Sequence, residues 1–478
     1  MNYISNEIIN YINSIYGDVL AKSYSELINI QPAQYIRVNT TKITPENLRK
    51  ALLNNYGITS EHINNYNNIL KITDTQKLLG KTLEHILGYY YIQSLSSFIP
   101  PLVLNPSEND IVLDLCAAPG SKTTELGEIM KNRGTIVVNE IQSDRLKPLV
   151  YNIDRMNQMN SGVIHFKGEQ LNTVYSNYFD KILVDAPCSG LGILQKKIEV
   201  NDWWNIQRVK RLSELQLKLL VSAIKMVKVG GEIVYSTCTL TVEENELIID
   251  KILQKYPVEV VDFDPKIHYQ EGIIFYNGQS LNTSLKKAKR ILPWEVDSDG
   301  FFIIKLRKAG ETEVPYKREL QLRDVKLLDS SDKRIKSLLI NMQKEFEIED
   351  SVLDLYRYVL KSSDIYFVNR DWVDPNPGFF ERIGTRFGVF DKNKEIVLHT
   401  QAVQVLGNFI SKNIIELNSS EELRIYLDGG TIKSFSLNKG QYLVKYQGFN
   451  LGTAVFTGQG LKSQFPRSRR TQEIYSEF

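Results

Sequence analysis

The chain has 478 residues, 42% of them hydrophobic and 10% aromatic. That is apolar material for substantial cores, and at one domain per ~150 residues about three domains are expected. These values exclude a disordered or low-complexity protein. The 58 Lys and Arg nearly balance the 56 Asp and Glu, for a formal charge of +2, so a nucleic-acid contact would have to come from a local basic face. The first residues lack the basic flank and apolar core of a secretory signal, and no stretch approaches the ~18 apolar residues of a membrane span. The expectation is a cytoplasmic protein with no membrane partner.

Isoleucines at 4, 8, 9, 12 and 15 recur at helical spacing and predict a core-facing helix at the start. Tyr35–Thr40 reads as a strand, and Thr44-Pro45-Glu46 opens a helix through Leu53, with proline suited to its first turn and Gly57 to its stop. Residues 1–83 form a small α+β module. From 84 to 308 the pattern changes. Short β-branched runs at Ile111–Leu115, Thr135–Asn139, Lys181–Asp185 and Gly231–Ser236 alternate with helical stretches at Thr123–Lys131, Arg145–Met156 and Arg208–Val227. That alternation predicts a parallel sheet covered on both faces, with ligands bound beyond the carboxyl ends of its strands. A charged linker begins near Glu311, a mixed α/β module runs to 415, and a glycine-punctuated strand-rich domain occupies 416–478.

Three motifs fall at the predicted strand ends and carry all three cysteines. Asp114-Leu-Cys116-Ala117-Ala118-Pro119-Gly120-Ser121-Lys122-Thr123 runs from a strand through small residues into a helix. It is neither a P-loop nor Gly-x-Gly-x-x-Gly, but its small residues and helix start suit a polar ligand. Glu140, at the end of the next strand, is placed for ribose hydroxyls. Together they read as a nucleoside-cofactor site. Asp185-Ala-Pro187-Cys188-Ser-Gly190 follows another strand, which Pro187 stops abruptly. Tyr235-Ser-Thr-Cys238-Thr-Leu240, followed by Glu243-Glu244-Asn245-Glu246, ends a further strand. A single cysteine is most simply a small buried hydrophobe. Two at adjacent strand ends, one three residues after an Asp and with Lys122 as a candidate cationic neighbour, point to thiol chemistry. No Cys-x-x-Cys pair suggests a metal.

These motifs, in this order and spacing, closely resemble the Sun-type RNA cytosine C5-methyltransferase family. Arg290-Ile-Leu-Pro293 and Asp299-Gly-Phe-Phe-Ile-Ile-Lys-Leu306 are similar to that family's closing strand, and Tyr35-Ile-Arg-Val-Asn-Thr40 resembles its N-terminal RNA-binding module. The resemblance implies a Rossmann-like α/β methyltransferase domain between an α+β RNA-binding module and a β-rich PUA-like domain. It implies S-adenosylmethionine as methyl donor, with Cys116 to Lys122 around the methionine part, Glu140 on the ribose, and Arg145 and Asp185 also at the cofactor. The family's adenine-contacting Asp falls on Lys167 here, with Glu169 as a substitute. On this reading Cys238 is the nucleophile, Cys188 assists release, Asp185 supplies the acid at N3 and Lys122 is the catalytic set's cationic neighbour; Cys116 is otherwise a packing residue. The substrate is RNA, either tRNA or rRNA, and the protein a monomer. The target base must leave its stack, and Tyr89, Tyr90, Tyr91 and Phe98 are candidates to hold flipped bases. The C-terminal basic cluster Lys462, Arg467, Arg469 and Arg470 suits RNA backbone. Two other readings stay open: a DNA cytosine methyltransferase, and an RNA-binding assembly factor that has lost turnover.

Overall fold

The computed structural model describes residues 4–74, 79–313, 316, 318–390 and 395–470. Its centre is a sheet of six principal strands: β1 (Ile111–Asp114), β2 (Thr135–Asn139), β3 (Ser161–Ile164), β4 (Phe179–Asp185), β5 (Val227–Thr237) and β6 (Phe301–Lys308). They lie in the order β3-β2-β1-β4-β5-β6, the first five parallel and β6 antiparallel to β5. The strand order reverses between β1 and β4, so the crevice between their carboxyl ends is the natural ligand position. Helices α1 (Ser121–Ile129), α2 (Ser143–Arg155), α3 (Ile206–Met226) and α4 (Glu246–Lys255) are among those that cover the sheet. Apolar clusters fill both faces. One is built on Leu113, Val137, Ile182 and Ile233 with Leu220 and Ile224 of α3, the other on Val112, Ile136, Leu183 and Val234 with Leu126 of α1 and Ile153 of α2. The alternating residues of one strand thus face opposite layers, which is why these runs read as continuously apolar.

The flanking modules are welded to this core. Ile8 and Ile12 of the first helix, Asn6–Tyr16, pack on Leu191, Leu194, Trp204 and Leu240 beside the cysteine loops. The N-terminal sheet comprises Gln34–Val38, Ser60–Ile63, Tyr66–Ile72 and Tyr90–Gln93. Its last strand pairs with Gln34–Val38, so this module runs ten residues past the boundary expected at 83. The helix Pro45–Tyr56 is capped by Thr44 and stopped by left-handed Gly57, as its sequence predicts. At the opposite edge, Arg382–Ile383 of the third module adds an antiparallel strand to β3. The two approach so closely that a Cβ at Gly162 would lie 2.6 Å from the Phe380 ring and 2.7 Å from Trp372. Ile414–Glu416 pairs with Gly440–Tyr446, which starts the C-terminal sheet just before the expected residue 416. No helix among the described residues is long and apolar enough to cross a membrane.

Candidate active site

The first loop leaves β1 at Asp114 and enters α1 at Ser121. Backbone hydrogen bonds fold it back onto β2: Ala117 N–H donates to Asn139 O (2.9 Å) and Gly120 N–H to Ala117 O (2.8 Å). Asn139 donates from its side chain to Leu115 O. Thr123 donates to Asp114 Oδ2 (2.6 Å), whereas Asp114 Oδ1 is buried with no hydrogen-bond partner. Burial, only partly offset by the Thr123 hydroxyl and reinforced by nearby Asp185, pushes the Asp114 carboxyl up to about 7. Glu140 is buried at the end of β2, accepts from Gln142 N–H (2.8 Å) and lies 3.6 Å from Arg145. Arg145 also donates to Ala118 O. Cys116 is half-buried against the core, and burial raises its thiol. Lys167 is exposed and Glu169 half-buried.

The second and third loops leave β4 and β5 side by side. Asp185 accepts on one oxygen from Lys122 Nζ at 2.7 Å and on the other from Ser236 Oγ at 2.8 Å. Burial works against the Lys122 charge, yet the Asp185 carboxylate outweighs it and holds the ammonium above its ordinary range. Lys122 further donates to Ser97 Oγ (3.1 Å) and lies over the Phe301 ring. Beyond Pro187, Cys188 Sγ stands 3.0 Å from Cys238 Sγ, both as free thiols. That sulphur contact, then burial, raises the Cys188 thiol well above its ordinary value.

One buried carboxylate ties the two cysteine loops together. Glu244 accepts from Ser189 N–H (2.9 Å), the Ser189 hydroxyl, the Thr241 hydroxyl (2.7 Å) and Gln216 Nε2 (2.9 Å). Gln216, from the middle of α3, also donates to Pro187 O (2.8 Å). Gly192 N–H donates to Cys238 O, and a Cβ at Gly192 would lie 2.1 Å from Gly300 O, so glycine is required there. Sequence reasoning gave Glu244 and Gln216 no role. Their signals are an acidic run at a helix start and a polar residue on the apolar face of α3.

A cavity of about 660 Å³ opens over these groups. Lys122, Asp185, Cys238 and Phe301 line its floor, and Gln31–Tyr35 with Lys196 and Asp299 form part of its rim. Cys188 is not among its lining residues. Tyr89, Tyr90, Tyr91 and Phe98 are absent from it too, so none of the four lines the cleft over Cys238. Tyr90 and Phe98 are wholly buried, Tyr91 lies under Arg37 and Arg155, and Tyr89 packs edge-on against Phe449. Arg37, from the strand that resembles part of an RNA-binding module, is fully buried. It pairs with Glu128 (2.9 Å) and Glu125 (3.2 Å) and donates to Ser121 O, fixing the start of α1. Of the C-terminal basic cluster, Lys462, Arg467 and Arg470 are exposed. Arg469 is a correction: it is buried against Tyr151 of α2 and donates to Gln404, so it ties domains together and does not face solvent.

A family model described as 16S rRNA methyltransferase RsmB/F matches residues 101–307. Ribosomal RNA small subunit methyltransferase F of Shewanella oneidensis is 33% identical over 471 residues, covering 96% of each chain. The chain belongs to the RsmB/F family. A second model, described as the methyltransferase RsmF PUA domain, matches residues 412–471, so this RsmB/F member carries a C-terminal PUA domain. The 28S rRNA (cytosine(4447)-C(5))-methyltransferase of Homo sapiens is 35% identical over 318 residues, 62% of this chain and 38% of that one. The crystal structure of a methyltransferase homolog from Pyrococcus horikoshii superposes with a TM-score of 0.56 at 31% identity, over 63% of this chain and 93% of that one. All three motif loops lie between 101 and 307, inside the RsmB/F match.

Proposed function

We propose that this RsmB/F methyltransferase methylates C5 of a cytosine in 16S rRNA, with Cys238 as nucleophile, Cys188 as the releasing group and the Asp185–Lys122 pair at N3. The observation that carries the reading is the cavity itself: one cysteine, one carboxylate and one ammonium line a single floor large enough for a flipped base. The curated relative that matches nearly the whole chain acts, by its name, on small-subunit ribosomal RNA. That favours rRNA over the tRNA and DNA alternatives.

The residues fit S-adenosylmethionine. Asp114 Oδ1 is a buried acceptor without a partner, Glu140 ends β2 where a ribose diol would reach it, and the loop from Ala117 to Lys122 supplies the small walls. When bound, the cofactor provides the electrophilic methyl group. The protein has to make cytosine C5 nucleophilic. Addition of the Cys238 thiolate to C6 does so by converting the aromatic ring to an enamine, dividing one hard step into easier ones. Charge then accumulates on the ring and at N3. Asp185 faces the cavity with Lys122 at 2.7 Å, a paired carboxylate and ammonium that can direct a proton to N3. Cys188, with its thiol held protonated beside Cys238, can donate a proton to the Cys238 sulphur as it is expelled, while the C5 proton passes to solvent. All these groups come from one chain, which fits a monomer, and an rRNA substrate fits a cytoplasmic enzyme.

The test is transfer of labelled methyl groups from S-adenosylmethionine to unmodified 16S rRNA, 23S rRNA, tRNA and DNA in parallel, with product nucleosides identified. The expected result is 5-methylcytidine in 16S rRNA alone. Exclusive labelling of another pool would overturn the substrate assignment. Cofactor binding without transfer to any pool would return the assembly-factor reading.

A further inference from the structure

A second cavity, of about 540 Å³, opens at the other end of the sheet, where all four modules meet. Ser121 and Lys122, at the start of α1, line the methyl-transfer cleft, while Lys131 and Asn132, just past its end, line this second cavity. At ~1.5 Å per helical residue the nine residues of α1 separate them by roughly 14 Å. The volume falls in the ~300–1,000 Å³ range of small-ligand sites.

Carboxamides dominate its walls. Eight of its nineteen lining residues are Asn or Gln, and none is Asp or Glu. The amides come from separate parts of the chain: Asn157 from the methyltransferase domain, Asn369, Gln404 and Asn408 from the third module, and Gln447 and Asn450 from the PUA domain. Some of these amides are spent within the protein, Gln404 on Leu451 O and Arg469, and Asn450 Nδ2 on Asn408 Oδ1, but two buried carbonyls are not. Asn157 Oδ1 and Asn450 Oδ1 are both buried with no hydrogen-bond partner, and the Asn157 residue is only 8% exposed. Leaving such an acceptor unpaired costs free energy that an N–H donor would recover. One wall is aromatic, with Tyr89 and Phe449 edge-to-face at 5.0 Å. Positive charge is sparse. Lys131 at the rim is shared with Glu108 at 2.7 Å, and Lys42 is turned inward onto Leu87 O and Arg155 O.

Carboxamides paired with an aromatic wall read base edges and faces, whereas a phosphate site would need cations. Asn and Gln are matched to adenine, whose amine donates while a ring nitrogen accepts. We propose that this cavity binds one unpaired adenine nucleotide of the substrate RNA, remote from the methylated base. The proposal rests on the reading above that the substrate is RNA. A strand that fills both cavities has to span the length of α1, so the second site sets which cytosine can reach the first.

The full-length protein is titrated with fluorescein-labelled hexaadenylate and hexauridylate, followed by fluorescence anisotropy. The wild type is expected to bind hexaadenylate about tenfold tighter, one bidentate contact's worth of discrimination. Gln447→Ala/Asn450→Ala should abolish that preference, and Asn408→Arg at the exposed rim should do so by blocking entry, with thermal melting confirming that both variants fold. With 16S rRNA as substrate, the variants should raise KM severalfold and leave kcat unchanged. Equal wild-type affinity for the two oligonucleotides, or a preference that survives in both variants, overturns the proposal. Failure of the wild type to methylate 16S rRNA, with the adenine preference and its loss intact, would instead overturn the proposed function and leave the site standing.

Discussion

Cys188 and Cys238 follow neighbouring parallel strands and hang from the same buried Glu244, yet only Cys238 lines the cavity. The difference lies in how far each sits from its strand. Cys238 is one residue beyond β5, where side-chain direction is still set by the sheet. Cys188 is three beyond β4, and Asp185 has taken the position over the cavity before Pro187 turns the chain under. A strand end offers one position that looks into the crevice. β4 gives it to a carboxylate and β5 to a sulphur, and the remaining cysteine stands against the first without lining the cavity.

That asymmetry breaks most visibly in Cys238→Ala. Loss of the group that forms the covalent bond should lower methyl transfer by about 10⁴-fold or more, and RNA containing 5-fluorocytosine should leave no covalent complex on a denaturing gel. An adduct that persists would exchange the roles of the two cysteines. Cys188→Ala should be milder, slowing turnover by about 10²-fold while a protein–RNA adduct accumulates with ordinary RNA. Rapid turnover without an adduct would mean that the second thiol is structural. Glu244→Ala removes the acceptor of four hydrogen bonds and loosens both loops at once, so formation and release of the adduct should slow together, each by about tenfold. An effect confined to one phase, read in single-turnover and steady-state assays, would show that the clamp serves only one loop.

Strands β1, β2, β4 and β5, the three motif loops and the cap of Pro45–Tyr56 were readable in the chain because they rest on local rules: alternation of β-branched runs with helices, small residues at a strand end, Thr-Pro before a helix and Gly after it. What escaped depends on contacts distant in sequence. Arg37 looks like an exposed basic residue on a short strand, and only the approach of α1 makes it the partner of Glu125 and Glu128. Arg469 belongs to an arginine-rich segment that reads as an RNA face, but the third module and α2 close over it. The tyrosines at 89–91 carry the composition of a base-stacking surface, yet β-pairing turns them into the interface between modules. Local sequence records which residues can do chemistry at a strand end. It does not record which polar residues another module will bury.

Asp114 offers the smallest and most selective test, because it stands on the cofactor side and hydrogen-bonds neither sulphur of the cysteine pair. Its folded-state pKa, raised to about 7 by burial, exceeds the unfolded value of roughly 3.9. Between those values the native state keeps a proton that the unfolded chain releases, so this carboxyl's stabilising contribution is complete below about pH 4 and lost as pH rises towards 7. The cofactor-free protein should therefore melt at progressively lower temperature from pH 5 to pH 7, and Asp114→Asn should flatten that slope while accepting the same Thr123 hydrogen bond. Saturating S-adenosylmethionine should flatten it in the wild type as well, if a donor on the cofactor pairs with Asp114 Oδ1 and favours the ionised form. An equal slope in wild type and variant would assign the pH dependence to other buried carboxyls such as Glu244, whose pKa burial also raises, and the Glu244→Ala protein would then show the flattening.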